Sequence, residues 1–297
     1  TAATLQEAVA IVNEVDYGLT SGLHSLNPEE LRYWLEHIQA GNLYVNRGIT
    51  GAIVRRQPFG GWKKSAVGTG AKAGGPNYLM HLVDWKSADA SKVSGAIALP
   101  AVSKFVDELA LTGALSGADI EFVKKAAVLD EAAWREELGL AVDVSDLGVE
   151  RNVFRYRTTD VGIRLDENGT ARDLARVVAA ALRTGAPVTV SAPANLDAKV
   201  LKAIQNAGFT VALESDSDWL AKIAKAGKAL TNGRIRLIGG SASTAMAATE
   251  GRPDLAIYGG PVLQAGRIEL LPFLREQAVA ITAHRFGNPN HLTDDLI

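Results

Sequence analysis

Between Arg47 and Pro76 the chain carries eight glycines and six cationic side chains, Arg47, Arg55, Arg56, Lys63, Lys64 and Lys72. No Asp or Glu occurs from His37 to Val83. Glycine leaves backbone N–H groups accessible, and a run of such amides with cations nearby is chemistry suited to holding a carboxylate. A long surface loop with solvated cations is the plainer reading of the same residues. Ile53, Val54, Phe59 and Trp62 ask for burial, which weighs against disorder. Gly68-Thr69-Gly70-Ala71-Lys72 has the look of a phosphate loop, yet it matches neither the P-loop spacing nor the dinucleotide fingerprint. No recognition motif for nucleic acid accompanies the cations.

Other candidate chemistry is sparse. The chain has no cysteine, which excludes a disulfide framework, a thiolate metal site and a cysteine nucleophile from its own residues. His24, His37, His81, His284 and His291 show no metal-ligand spacing, and His284 beside Arg285 reads as structural. Glu269 and Glu276 are seven apart, so a helix would place both on one solvated face. No catalytic, metal or cofactor-binding residue is assigned.

The elements that must position the Gly-rich stretch are legible on its N-terminal side. Thr4 with Glu7 has capping-box spacing, and Leu5, Ala8, Val9 and Val12 follow on one helical face, with Gly18 as the stop. Asn27, Pro28 and Glu30 open a second helix whose stripe is Leu31, Trp34, Leu35 and Ile38, ended by Gly41. Leu43–Val45 forms a short strand leading into Asn46. Residues 86–95 are small and polar, a linker, and two helical patterns occupy residues 97 to about 140 as a packing collar. Beyond residue 151 strands and helices alternate. Phe154–Arg157 and Val161–Leu165 are β-like, a helix spans about 171–183 before Gly185, and further strands start near 188, 209, 235 and 255. One helix fits between each pair, the signature of a doubly wound parallel sheet.

The chain's 297 residues suggest about two domains, and a net charge of −2 gives no basic field for nucleic acid. No transmembrane or secretory segment is found, so a soluble, cytoplasmic protein is expected.

Several ordered motifs carry a resemblance. Tyr17-Gly18-Leu19-Thr20-Ser21-Gly22, Ala40-Gly41-Asn42-Leu43-Tyr44-Val45-Asn46-Arg47, Thr50-Gly51-Ala52 and Gln57-Pro58-Phe59-Gly60-Gly61-Trp62-Lys63-Lys64-Ser65 resemble the C-terminal motifs of aldehyde dehydrogenases. Gly68-Thr69-Gly70-Ala71-Lys72-Ala73-Gly74-Gly75-Pro76-Asn77-Tyr78-Leu79 narrows the resemblance to the L-glutamate γ-semialdehyde (1-pyrroline-5-carboxylate) dehydrogenase branch, as in bifunctional proline utilisation A proteins. The resemblance implies that Gly51 and Ala52 hold the substrate's α-carboxylate and that Phe59 lines the aldehyde pocket. A lone phenylalanine is as readily an ordinary core residue. Close approach of an anion to a backbone amide without a Cβ is the physical reason expected for Gly51.

In that family a cysteine thiolate attacks the aldehyde, hydride passes to NAD, and a glutamate activates the deacylating water. The resemblance therefore implies that this chain is a C-terminal portion of a longer NAD-dependent enzyme, inactive alone. Its partners would be the upstream dehydrogenase domains, the glutamate semialdehyde substrate of the parent enzyme, and further copies in a homo-oligomer. Asn152–Arg157 with Val161 is similar to the opening of an aldehyde dehydrogenase cofactor domain. Asp166-Glu167-Asn168-Gly169 departs from the pattern, as does the missing lysine in Ser191–Asn195, so no NAD is expected on this chain. Gly239-Gly240-Ser241-Ala242-Ser243-Thr244 resembles the phosphate-side turn, and an alternative role as a nucleotide- or anion-binding module follows from it. The expected fold is α/β. Residues 1–85 would be the end of the catalytic domain, with an oligomerisation or packing strand around Leu82–Trp85, and residues 96–297 a helical collar with a degenerate Rossmann-like sheet.

Overall fold

The computed structural model describes residues 1–86, 93–226 and 233–297. The core of the expected linker, residues 87–92, and residues 227–232 lie outside the described residues. The chain forms two compact units, and their boundaries are not sequential. One unit combines Thr1–Val83, Leu140–Arg157 and Arg275–Ile297; the other combines Asp84–Gly139 and Thr158–Leu274.

The first unit opens with the two expected helices. Leu5–Asn13 begins at Thr4, whose hydroxyl accepts from the Glu7 N–H at 3.1 Å. Pro28–His37 begins at Asn27, whose side chain accepts from the Glu29 N–H at 2.9 Å. Glu30 does not close the box on Asn27; it accepts instead from the Ser25 hydroxyl. The two glycines expected to stop these helices have other tasks. Gly18 pairs with Trp62 in a two-stranded ladder, and a Cβ on Gly41 would stand 2.0 Å from the Gly60 carbonyl oxygen. Gly41 is glycine because the Gly-rich stretch passes directly over it.

A five-stranded sheet forms the body of this unit, in the order Thr20–Leu23, Asn42–Val45, Leu274–Thr282, Glu150–Thr158, Val142–Asp143. Asn42–Val45 lies parallel to both of its neighbours. Leu31, Trp34, Leu35 and Ile38 pack on one face of the sheet with Leu43, Val45, Val153, Val279 and Ile281, making one dry core from all three chain segments. At roughly 1.5–3 kcal/mol per buried apolar side chain, these contacts outweigh the cost of gathering distant segments. The segment Phe154–Arg157 thus belongs to this sheet and does not open the parallel sheet that follows it in sequence. The Arg155 guanidinium ties it here, donating to the Leu35 carbonyl at 2.7 Å and to Gln277 Oε1 at 2.9 Å. The expected strand around Leu82–Trp85 is not formed: Tyr78–Leu82 is a 3-10 turn, and Leu82 and Val83 are exposed.

The second unit carries the doubly wound parallel sheet expected from the alternating pattern. Its strand order is Ala256–Tyr258, Arg234–Ile238, Val161–Leu165, Val188–Ala192, Val211–Leu213. Helix Ala171–Thr184 covers the sheet with Leu174, Val177 and Val178 fully buried, and Gly185 ends it at φ +67°. Two buried ion pairs brace the unit. Arg176 meets Asp130 bidentately at 2.7 Å, and Arg236 meets Glu269 at 2.6 and 3.1 Å. Burial pushes the Asp130 carboxyl up to about 6 against the pull of the Arg176 charge. No described helix is long and apolar enough to cross a membrane.

Candidate substrate-anchoring site

The candidate residues follow the buried strand Asn42–Val45. Tyr44 is fully buried, and its hydroxyl donates to the Gly51 carbonyl at 2.9 Å. Burial pushes the Tyr44 phenol up, so it stays a neutral donor near pH 7. This bond fixes the loop's carbonyl side. Gly51 stands at φ +90°, with open space where a Cβ would be. The left-handed backbone at this position favours glycine. Among the described residues neither the Gly51 nor the Ala52 N–H donates within the protein, and both residues are exposed. Two consecutive amides without an internal acceptor therefore stand beside a carbonyl held by Tyr44, free to meet an acceptor from outside the loop.

Downstream of these amides the loop is tied by side chains whose role the sequence does not reveal. Gln57 is buried; its Oε1 accepts from the Ile53 N–H at 3.1 Å, and its Nε2 donates to Glu150 Oε1 at 3.0 Å and to Asn152 Oδ1. Glu150 also holds the Arg47 guanidinium at 2.8 Å. Of the cations counted in sequence, Arg47 is therefore paired.

Phe59 is partly buried, and its backbone is held on every side. Its N–H and carbonyl exchange hydrogen bonds of 3.0 and 2.9 Å with Ala73. Asn42 donates to the Pro58 carbonyl at 3.1 Å and accepts from the Gly60 N–H at 3.1 Å. Lys72 is fully buried, and its ammonium donates to Asn42 Oδ1 at 2.9 Å and to the Gly60 carbonyl. Burial pushes Lys72 down to about 7, with Glu276 opposing. A second cation of the basic stretch is thus a structural pin and not a ligand for solvent-borne anions. Gly51, Ala52 and Phe59 share one loop system, and the groups that shape it were missed: Tyr44, Gln57, Lys72, Asn77, Glu150, Asn152 and Glu276. The one sequence signal available was polar residues embedded in apolar strands, as in Asn42-Leu43-Tyr44-Val45 and Glu276-Gln277-Ala278-Val279.

Residues 1–88 match the model of the "Aldehyde dehydrogenase family". That segment, somewhat under a third of the chain, is part of an aldehyde dehydrogenase family domain. The bifunctional protein PutA of Rhizobium meliloti is 35% identical over 239 residues, which cover 79% of this chain and 18% of the relative. The 1-pyrroline-5-carboxylate dehydrogenase of Oceanobacillus iheyensis is 48% identical over 85 residues, 29% of this chain and 16% of the relative. A solved structure of proline utilization A from Corynebacterium freiburgense matches with a TM-score of 0.73 and 38% identity over 97% of this chain and 25% of that one. The chain thus spans between 16% and 25% of the length of these proteins. The matched segment, residues 1–88, contains the candidate residues Gly51, Ala52 and Phe59.

The second unit has a crevice where parallel sheets usually take ligands, at the carboxyl ends of Val161–Leu165 and Arg234–Ile238, where strand order reverses. It encloses about 380 Å³ between Asp166, Asn168, Asp216, Trp219, Gly239 and Ser241, among others. Gly239 is pressed against Gly169, so a Cβ on it would lie 2.5 Å from the Gly169 nitrogen, and a Cβ on Gly240 would lie 2.8 Å from Asp166 Oδ2. The loop Asp166–Gly169 therefore packs closely against the Gly239–Gly240 turn, and the Asp166 and Asp216 carboxylates line the crevice. Ser241 Oγ is already taken as a helix cap, accepting from the Thr244 N–H at 3.2 Å. Among the described residues no group of three or more His, Asp or Glu side chains could hold a metal ion. His284 is exposed in the hairpin His284–Arg285 with Asn288–Pro289, where its Nδ1 accepts from the Gly287 N–H.

Proposed function

We propose that the chain is the C-terminal portion of an NAD-dependent dehydrogenase that oxidises L-glutamate γ-semialdehyde to glutamate in proline catabolism. It supplies the substrate's carboxylate anchor at Gly51 and Ala52 and a wall of the aldehyde pocket at Phe59. The observation that carries this reading is the pair of unpaired, exposed amides at Gly51 and Ala52, held in place by the Tyr44 hydroxyl. An α-carboxylate offers oxygens that two adjacent N–H groups can share, which favours an amino-acid semialdehyde over a simple aldehyde. The names of the relatives support the same substrate class.

The thiolate nucleophile and the NAD site belong to other parts of the parent enzyme, because the chain has no cysteine and its own Rossmann-like crevice is lined by the carboxylates of Asp166 and Asp216. The second unit acts in packing and in a cytoplasmic homo-oligomer. An assay of this chain alone with NAD and the semialdehyde therefore shows no turnover, and turnover above background overturns the assignment. In the intact dehydrogenase, Gly51→Val forces a β-branched residue into φ +90° and raises KM for the semialdehyde far more than it lowers the folded fraction. The alternative, an anion-sensing module at Gly239–Thr244, requires phosphate beside Asp166 and Asp216. Calorimetry with NAD, NADP and ATP separates the two, since micromolar binding of any of them supports the module.

A further inference from the structure

We infer that Glu276 is a positioning residue for the aldehyde pocket, fixing where Phe59 stands by holding the backbone amide of Lys72, next to Ala73. The inference rests on the proposed role of Phe59. Glu276 lies 204 residues from Lys72 in sequence, on the strand Leu274–Thr282, and is 7% exposed. Its Oε2 accepts from the Lys72 N–H at 2.6 Å, and its Oε1 accepts from the Asn77 side-chain amide. Its backbone carbonyl accepts from the Trp62 indole N–H at 2.8 Å. One residue thus holds the Gly-rich stretch at three points, 62, 72 and 77.

Ala73, one step beyond the held amide, exchanges both of its backbone hydrogen bonds with Phe59. A shift at Lys72 is therefore passed directly to Phe59, whose other flank is held by Asn42 and the Lys72 ammonium. Both named partners of the Glu276 carboxyl are donors, so an ionised carboxylate satisfies them together. A glutamine of the same size would turn its NH2 toward one of these donors, losing a bond and pushing the backbone away. The strand that carries Glu276 is the middle one of its five-stranded sheet, which holds its backbone, and the residue is 7% exposed. The arrangement makes pocket shape depend on a residue that touches no substrate.

The test compares wild type and Glu276→Gln in the intact dehydrogenase, with L-glutamate γ-semialdehyde and the shorter succinate semialdehyde as substrates. Expected are a rise of about tenfold in KM for the five-carbon substrate, kcat within about threefold, and a lower preference for it over the four-carbon one. A purely structural role would lower kcat through the active fraction and leave KM and the preference unchanged, which overturns the inference. Hydrogen exchange on the 297-residue chain reads the same residue without activity, and faster exchange across residues 58–77 in Glu276→Gln is expected. Unchanged exchange there also overturns it. Should Glu276→Gln fail to fold, Glu276→Asp retains the charge and shortens the reach, with the same KM shift expected. If the wild-type enzyme does not oxidise the semialdehyde, the proposed function fails, while the exchange result still decides the loop-holding role of Glu276.

Discussion

The two five-stranded sheets of this chain are built by opposite rules. In the second unit the strands from Val161 to Tyr258 come from one run of alternating strands and helices, and every pairing is parallel. In the first unit the central strand, Leu274–Thr282, lies more than 200 residues from its neighbour Asn42–Val45. Local βα alternation writes itself into a sequence as period and punctuation, whereas a strand borrowed from far along the chain leaves no mark of its partner. The unit that carries the candidate chemistry is the one whose sheet depends on distant segments.

The sharpest way to break this comparison is truncation after Leu274. It removes the middle strand of the first unit and none of the five strands of the second. Hydrogen exchange should show residues 20–45 losing protection while residues 161–192 keep it; equal loss in both would mean the units are not separately built.

A smaller effect is expected from Asp130→Ala in the second unit. It leaves Arg176 buried without its carboxylate and should cost about 3–5 kcal/mol in urea unfolding. Replacing both partners by apolar residues of similar size should recover most of that loss. Gly41→Ala comes next. Its Cβ would collide with the Gly60 carbonyl, so about 1–3 kcal/mol is expected, with the disturbance confined to the first unit.

The mildest test is the pH dependence of Lys72. Its pKa is about 7 when folded, against about 10.4 for an unperturbed lysine. Between those values the unfolded chain binds more protons, so this group makes stability rise with pH from about 7 towards 10 and contributes a constant below 7. Lys72→Met should flatten that rise in thermal melts of the first unit. A slope identical to wild type would show that the ammonium is not desolvated as the structure has it.

Much of the framework is legible in the sequence. The caps at Thr4 and Asn27, the stripe Leu31–Ile38 and the stop at Gly185 follow from side-chain chemistry acting within a few residues. The second unit's sheet was legible for the same reason. Gly18 and Gly41 were misread as helix stops because a glycine required by a tertiary approach looks the same in sequence as one required by a left-handed turn. Glu276 was misread as half of a solvated helical pair, since the Lys72 amide and Asn77 that desolvate it lie about 200 residues away. The candidate site divides likewise. Gly51, Ala52 and Phe59 stand out by local motif, but Gln57, Lys72, Glu150 and Glu276 acquire meaning only as partners of one another.

The sequence by itself determined the local elements, the Gly-rich acid-free stretch and the absence of a cysteine nucleophile. These are properties of composition and of neighbours along the chain. Tertiary structure alone decided which cations are pins and which amides are free, and which glycine is required by its backbone angle. It also decided that the sheet of the first unit is completed by residues 150–158 and 274–282. The physical reason is that burial and hydrogen-bond partnership are set by what is near in space. In this unit, the groups nearest in space are the ones farthest apart in sequence.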